Sequence, residues 1–219
     1  MEVASFRKKE LISNYVILGI FAIVSLAPIL VLIFNAFKPA VEFGTNPIGL
    51  PNNITFQNFP DAWIQGEYSK IFFNSFKLVL GTLILCISVS SLAGFSLAKL
   101  NPKGSNLVAI YLLVGISIPA QMFLLPLFLL WKNLGLLNTH IGLIIIYSAL
   151  NAPFATFLIR SYMIRLPDEL FDAAKIDGAN ILQQFFRVAI PLSWPVLLTS
   201  ALVVGLAVWN EFLFALTFV

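Results

Sequence analysis

From Tyr15 to Phe34 the chain carries no charged side chain, and from Leu78 to Ala98 it carries none again. Runs of this length match the ~20 residues that a helix needs to cross a hydrocarbon core about 30 Å thick. Inside that core every backbone N–H and C=O must be paired within the chain, so such runs are restricted to helices. The composition agrees, with 59% hydrophobic and 11% charged residues, against roughly a quarter charged in soluble domains. The class is all-α and polytopic. The single cysteine, Cys86, excludes an internal disulfide and a cysteine metal cluster, and the single histidine, His140, reads as a loop residue between two apolar stretches.

Five spans are expected, at about 15–37, 71–98, 107–130, 140–160 and 192–216, after an N-terminal segment 1–14 that carries Arg7, Lys8 and Lys9. The first run is too long for the apolar core of a signal peptide, and Asn35-Ala36-Phe37-Lys38-Pro39 offers no cleavage site, so it reads as a retained span. Residues 38–70 turn polar and irregular, with four prolines and with Trp63 and Tyr68 placed either in an interfacial aromatic belt or on a surface for an external partner. Serines, Ala93 and Gly94 in the second span predict close packing on other helices. Pro119, Gln121 and Pro126 predict a broken third helix buried in protein. With the N-terminus inside the cell, nine of the lysines and arginines are cytoplasmic (Arg7, Lys8, Lys9, Lys99, Lys103, Arg160, Arg165, Lys175, Arg187). Four (Lys38, Lys70, Lys77, Lys132) are outside or at the outer boundary, as the positive-inside rule requires.

That orientation makes residues 163–191 a cytoplasmic loop. Pro167 can open a helix, Asp168 and Glu169 complement its positive end, and Gly178 can take the left-handed conformation that stops it. Asn180 and Gln183 fit a capping box for a second helix that must end before Pro191. Leu170, Phe171 and Ala174 share a face of the first helix, which reads either as an apolar knob for a groove on another protein or as a solvated loop against the headgroups.

Asp172-Ala173-Ala174, Asp177-Gly178-Ala179 and Ile190-Pro191-Leu192 resemble the Glu-Ala-Ala loop of ABC importer permeases, with Asp172 keeping the charge of the usual glutamate on a shorter stem. Asn35-Ala36-Phe37-Lys38-Pro39, Asn74-Ser75, Leu134-Gly135-Leu136-Leu137-Asn138-Thr139 and Trp209-Asn210-Glu211-Phe212 resemble carbohydrate importers, in particular the second permease of maltose-type systems. The resemblance implies a type I ABC importer permease fold in a bacterial or archaeal cell membrane and half of a sugar or oligosaccharide pathway. It also implies a partner permease, two ATP-binding subunits and an extracytoplasmic solute-binding protein. The family has six core spans where five are visible here, so the sixth is expected to be missing, as in a truncated sequence or fragment. The coupling residues it implies are Leu170, Phe171, Asp172, Ala173, Ala174, Asp177, Gly178 and Pro191. Pathway candidates are Gln121, Asn151, Asn210 and Glu211. As a carboxylate inside a span, Glu211 reads as pathway or gate, with a structural hydrogen bond as its rival. No phosphate loop and no His-Glu-x-x-His motif is present, so no cofactor, metal or enzymatic chemistry is expected. The alternative function is a proton-coupled secondary transporter using Glu211.

Overall fold

The computed structural model describes the backbone of residues 2–219 and the side chains of residues 14–219. The chain divides into two units, Met1–Ile71 and Phe72–Val219. In the first, helix α1 (Glu2–Ala36) holds an apolar stretch, Asn14–Ala36, long enough to cross a membrane. The helix begins well before the expected 15, and the side chains of Arg7, Lys8 and Lys9 lie outside the described residues.

The segment 38–70, expected to be irregular, is organised around the residues that follow α1. Lys38 is 1% exposed and donates from Nζ to Asn35 Oδ1 at 2.8 Å and to the Asn46 carbonyl at 2.6 Å. Asn58 Nδ2 donates to the Ala36 and Lys38 carbonyls, and the Phe37 ring packs on Phe56 and Phe59. These bonds satisfy backbone groups that no regular element pairs, so prolines and polar residues still give a defined loop. It carries two short helices, α2 (Ala40–Thr45) and α3 (Asn58–Gln65).

Helix α4 (Tyr68–Phe95), in whose first turn the division falls, leads into the second unit and runs on as a π-helical turn, Ser96–Leu100. Thr82, Cys86, Ser90 and Gly94 recur every fourth residue and are all buried. They form one ridge against α7 (His140–Met163). Ser90 Oγ donates to the Ala152 carbonyl, and a Cβ on Gly94 would lie 3.0 Å from Ile159 Cγ2 and 3.2 Å from Arg160 N. The small residues therefore set the approach of α4 to α7, as expected from their composition.

The third expected span is two helices, α5 (Ser105–Ser117) and α6 (Leu124–Leu134), bent by 92°. The break falls at Ile118–Pro119, where Pro119 cannot donate to the Gly115 carbonyl. Pro126 breaks nothing, because it sits in the first turn of α6, where its missing N–H would have no partner. The break is as expected; within this chain α5 packs on α7 along one side and leaves Leu107 and Tyr111 more than 70% exposed. A helix that meets one neighbour in a single chain has the rest of its circumference free.

Gly135, at φ +67°, ends α6, and Thr139 caps α7 by accepting from the Gly142 N–H at 3.0 Å. A Cβ at Gly142 would meet the Leu136 carbonyl and would stand 2.8 Å from Trp131 Nε1. Gly142→Ala is therefore expected to cost about 1–3 kcal/mol through overpacking, read as a lower unfolding midpoint of the purified chain.

Beyond the polar loop, helix α11 (Trp194–Trp209) stops, and α12 (Leu213–Phe218) begins after a three-residue break. The fifth span is thus not continuous over 192–216; its break is held by Glu211. Leu143, Ile146, Tyr147, Val204, Val208, Phe214 and Phe218 form the core here, and the Asn138 N–H donates to the Phe218 carbonyl at 2.7 Å.

Candidate functional site

The polar loop folds as a helix, a stop and a second helical run. Helix α8 (Asp168–Ile176) has Asp168 and Glu169 in its first turn and Lys175 in its last. Pro167, at φ −59° and ψ 132°, stands one position before the helix rather than as its first residue. At the other end the Ala179 N–H donates to the Ala174 carbonyl and the Gly178 N–H to the Lys175 carbonyl, with Gly178 at φ +78°. This is a Schellman stop, for which glycine is the residue without a Cβ penalty.

Asn180 Oδ1 accepts from the Gln183 N–H and Gln183 Oε1 from the Asn180 N–H, the reciprocal cap of α9 (Ile181–Gln184). The run does not end before Pro191. It continues through a π-helical turn, Phe185–Ala189, into α10 (Ile190–Leu192) and meets α11 at 76°. The Ile190 N–H reaches back five residues to the Phe185 carbonyl, and this wider turn relieves the clash a proline ring makes with the carbonyl four residues before it.

Phe171 was expected on the outward knob, and its placement is a correction. It is 4% exposed, its ring centroid lies 6.1 Å from that of Phe95, and Phe95 in turn packs at a tilt on Phe185 at 5.4 Å. Ile159, Met163, Ala189 and Leu197 complete the cluster. The apolar face of α8 is split: Phe171 anchors the helix to its own chain, while Leu170, Ala173 and Ile176 look outward. Asp172, Asp177 and Gly178 are exposed beside them, and Ala174 is half-buried. Asp172 pairs with Lys175 at 2.9 Å, a surface contact worth at most about 1 kcal/mol, so its carboxylate remains open to another cation.

Ile176 is 87% exposed on the outer side of α8, an outward apolar residue that sequence reading missed. The signal was present in Ile176, an apolar residue three positions beyond Ala173 and two before the stop glycine. Lys99 is a further residue missed. Its Nζ donates to the Leu166 carbonyl and to Asp168 Oδ1, each at 2.6 Å, and holds the Asp168 carboxyl below the usual carboxylate range through that hydrogen bond and the attraction of opposite charges.

The four pathway candidates are not gathered into one site. Gln121 is exposed at the elbow between α5 and α6, in a cavity of about 580 Å³ that Ile118, Pro119, Leu150 and Pro153 also line. The 13 residues of α5 rise about 20 Å, less than the ~30 Å of a hydrocarbon core. Asn151 and Asn210 do not line it; their amides donate to the Tyr147 and Leu206 carbonyls of their own helices. Glu211 Oε2 accepts from the Tyr147 hydroxyl at 2.7 Å, and its two oxygens also accept from the Phe214 and Ala215 N–H groups. These bonds cap α12 and tie it to α7, so the geometry favours the structural role over the gate.

The family described as binding-protein-dependent transport system inner membrane component matches residues 89–219. A diacetylchitobiose uptake system permease of Streptomyces coelicolor is 32% identical over 91% of this chain and 66% of its own length. A probable ABC transporter permease of Bacillus subtilis is 34% identical over 94% of this chain and 69% of its own. An arabinooligosaccharide transport permease of Halalkalibacterium halodurans is 37% identical over 89% and 71%. The chain thus spans about two thirds of the length of these relatives. Among solved structures it is similar to a chain of a bacterial ABC transporter involved in import of the acidic polysaccharide alginate, with a TM-score of 0.78 and 27% identity over 97% of this chain and 75% of that one.

Proposed function

The chain belongs to the inner membrane components of binding-protein-dependent transport systems, the permease subunits of ABC importers, and we propose that it forms half of the translocation pathway for a sugar or oligosaccharide. Several relatives are named for such substrates, among them diacetylchitobiose and arabinooligosaccharides. Its contribution is transport rather than catalysis, and ATP is hydrolysed by partner subunits. The N-terminus and residues 163–191 lie in the cytoplasm, as the nine-to-four distribution of basic residues favours. Residues 38–70 face an extracytoplasmic solute-binding protein, and a second permease completes the pore.

The observation that carries this reading is the two-sided helix α8. Its inner side is fixed to the ends of α4 and α7 by Phe171, and its outer side offers Leu170, Ala173 and Ile176 beside Asp172. Such a helix can sit in a groove of an ATP-binding subunit and carry that subunit's closure into the spans. Asp172 pairs there with a basic residue of the partner, and Asp177, Gly178 and Pro191 shape the turns that follow. Gln121 lines the sugar pathway at the elbow.

Labelled oligosaccharide uptake into vesicles holding this chain, a partner permease, the ATP-binding subunits and the binding protein tests the reading. Uptake is expected to require ATP and to survive collapse of the proton gradient; abolition by the uncoupler with ATP dispensable would establish proton coupling instead. In the same assay Glu211→Gln is expected to keep ATP-driven uptake while lowering stability by about 1–2 kcal/mol, because an amide replaces a carboxylate acceptor of three hydrogen bonds. Loss of uptake by a folded, assembled Glu211→Gln complex would return the residue to the pathway.

A further inference from the structure

Lys99 sits in the π-helical turn that ends the second expected span, and its side chain is 6% exposed, whereas its partner Asp168 is 81% exposed. An ammonium group removed from water needs compensation, and here one segment supplies all of it. The Leu166 carbonyl and Asp168 Oδ1 each accept at 2.6 Å, and the Phe171 ring lies 5.0 Å from Nζ. One cation therefore grips the residue before Pro167, the first residue of α8 and the anchor of α8. Beside it the end of α4 meets α8 through the apolar pair Phe95 and Phe171, whose ring centroids are 6.1 Å apart. Apolar burial is non-directional, so two packed rings can slide, whereas two short charge-assisted hydrogen bonds fix distance and angle. The π-helical turn matters too, since its extra residue re-aims the side chain of Lys99 relative to a regular helix.

We propose that Lys99 is a positioning residue that locks α8 to the second span, so that displacement of α8 becomes displacement of that span. The role in transport rests on the permease reading above; the lock itself does not. Lys99→Met keeps the apolar stem and removes both bonds. In the reconstituted complex it is expected to continue hydrolysing ATP while sugar uptake per ATP falls roughly tenfold, the factor carried by one charge-assisted hydrogen bond. Lys99→Arg, able to reach both oxygens, is expected to restore most of the coupling, and Asp168→Asn, which spares the Leu166 bond, to fall between.

Spin labels at Leu92 and Ile176 in the purified chain, both exposed while the native Cys86 is fully buried, supply a readout without partners. The distance distribution between them is expected to broaden in Lys99→Met and to stay narrow in Lys99→Arg. Wild-type uptake per ATP in Lys99→Met, or loss of uptake and hydrolysis in equal proportion without rescue by arginine, overturns the proposed role. An unchanged distance distribution overturns the lock. A wild-type complex that does not transport refutes the permease reading instead, and the spin-label distances then decide the lock alone.

Discussion

Phe171→Ala is expected to detach α8 from the protein while leaving the spans folded. Replacing a buried phenylalanine by alanine costs about 3–5 kcal/mol, and this ring is the only α8 side chain in the cluster built on Phe95, Phe185 and Ile159. A helix of nine residues has little stability alone, since isolated helices shorter than about 12–15 residues are marginal in water. The purified variant should keep its helical circular dichroism but be cut rapidly between residues 163 and 191 by a protease that spares the wild type, and ATP-driven uptake should fall more than about tenfold, since each ~1.4 kcal/mol is a factor of ten. Ile176→Ala is the contrast. Its side chain is 87% exposed, so protease resistance should be unchanged and only affinity for the ATP-binding subunit should drop. If Phe171→Ala keeps wild-type protease resistance and loses only partner affinity, the ring faces the partner rather than the cluster of its own chain.

At Gly178 the expected effect is graded by backbone torsion. The residue stands at φ +78° with nothing within 4 Å of where a Cβ would be, so a substitution meets no steric wall and pays only for the left-handed conformation. That conformation costs an L-residue about 1–2 kcal/mol, less for asparagine and more for a β-branched side chain. Proline is worst, because φ +78° is closed to it and the N–H that donates to the Lys175 carbonyl is lost. Uptake per ATP should therefore decline in the order Gly178→Asn, Gly178→Ala, Gly178→Val, Gly178→Pro, as the end of α8 and with it Ile176 leave register. Equal uptake across the series would show that coupling does not depend on this bend.

The apolar runs, the small-residue ridge of α4, the stop at Gly178 and the reciprocal cap of Asn180 and Gln183 were all legible in the sequence. Each is a local property: run length, spacing by four, or a cap complete within three residues. Pro119 and Pro126 were harder to tell apart, because a proline breaks a helix only where its N–H is needed, and that depends on where the preceding helix has already stopped. The π-helical turn let the chain pass Pro191 in helical form, which a rule about regular helices does not anticipate.

By itself, then, the sequence determined the helical class, the membrane runs, the stop at Gly178 and the cap at Asn180 and, through its motifs, the family. Tertiary structure alone decided how each helix is rotated about its axis and what its polar groups meet. Phe171 turned inward because Phe95 and Phe185, from distant stretches, build the cluster it enters. Glu211 was claimed by Tyr147, 64 positions earlier, and Lys99 by Leu166 and Asp168, 67 and 69 positions later. Local patterning fixes a helix and its ends because caps and propensity act within a turn or two. It cannot say which of two apolar edges is covered or which carboxylate is consumed, because those depend on groups that only the folded chain brings together.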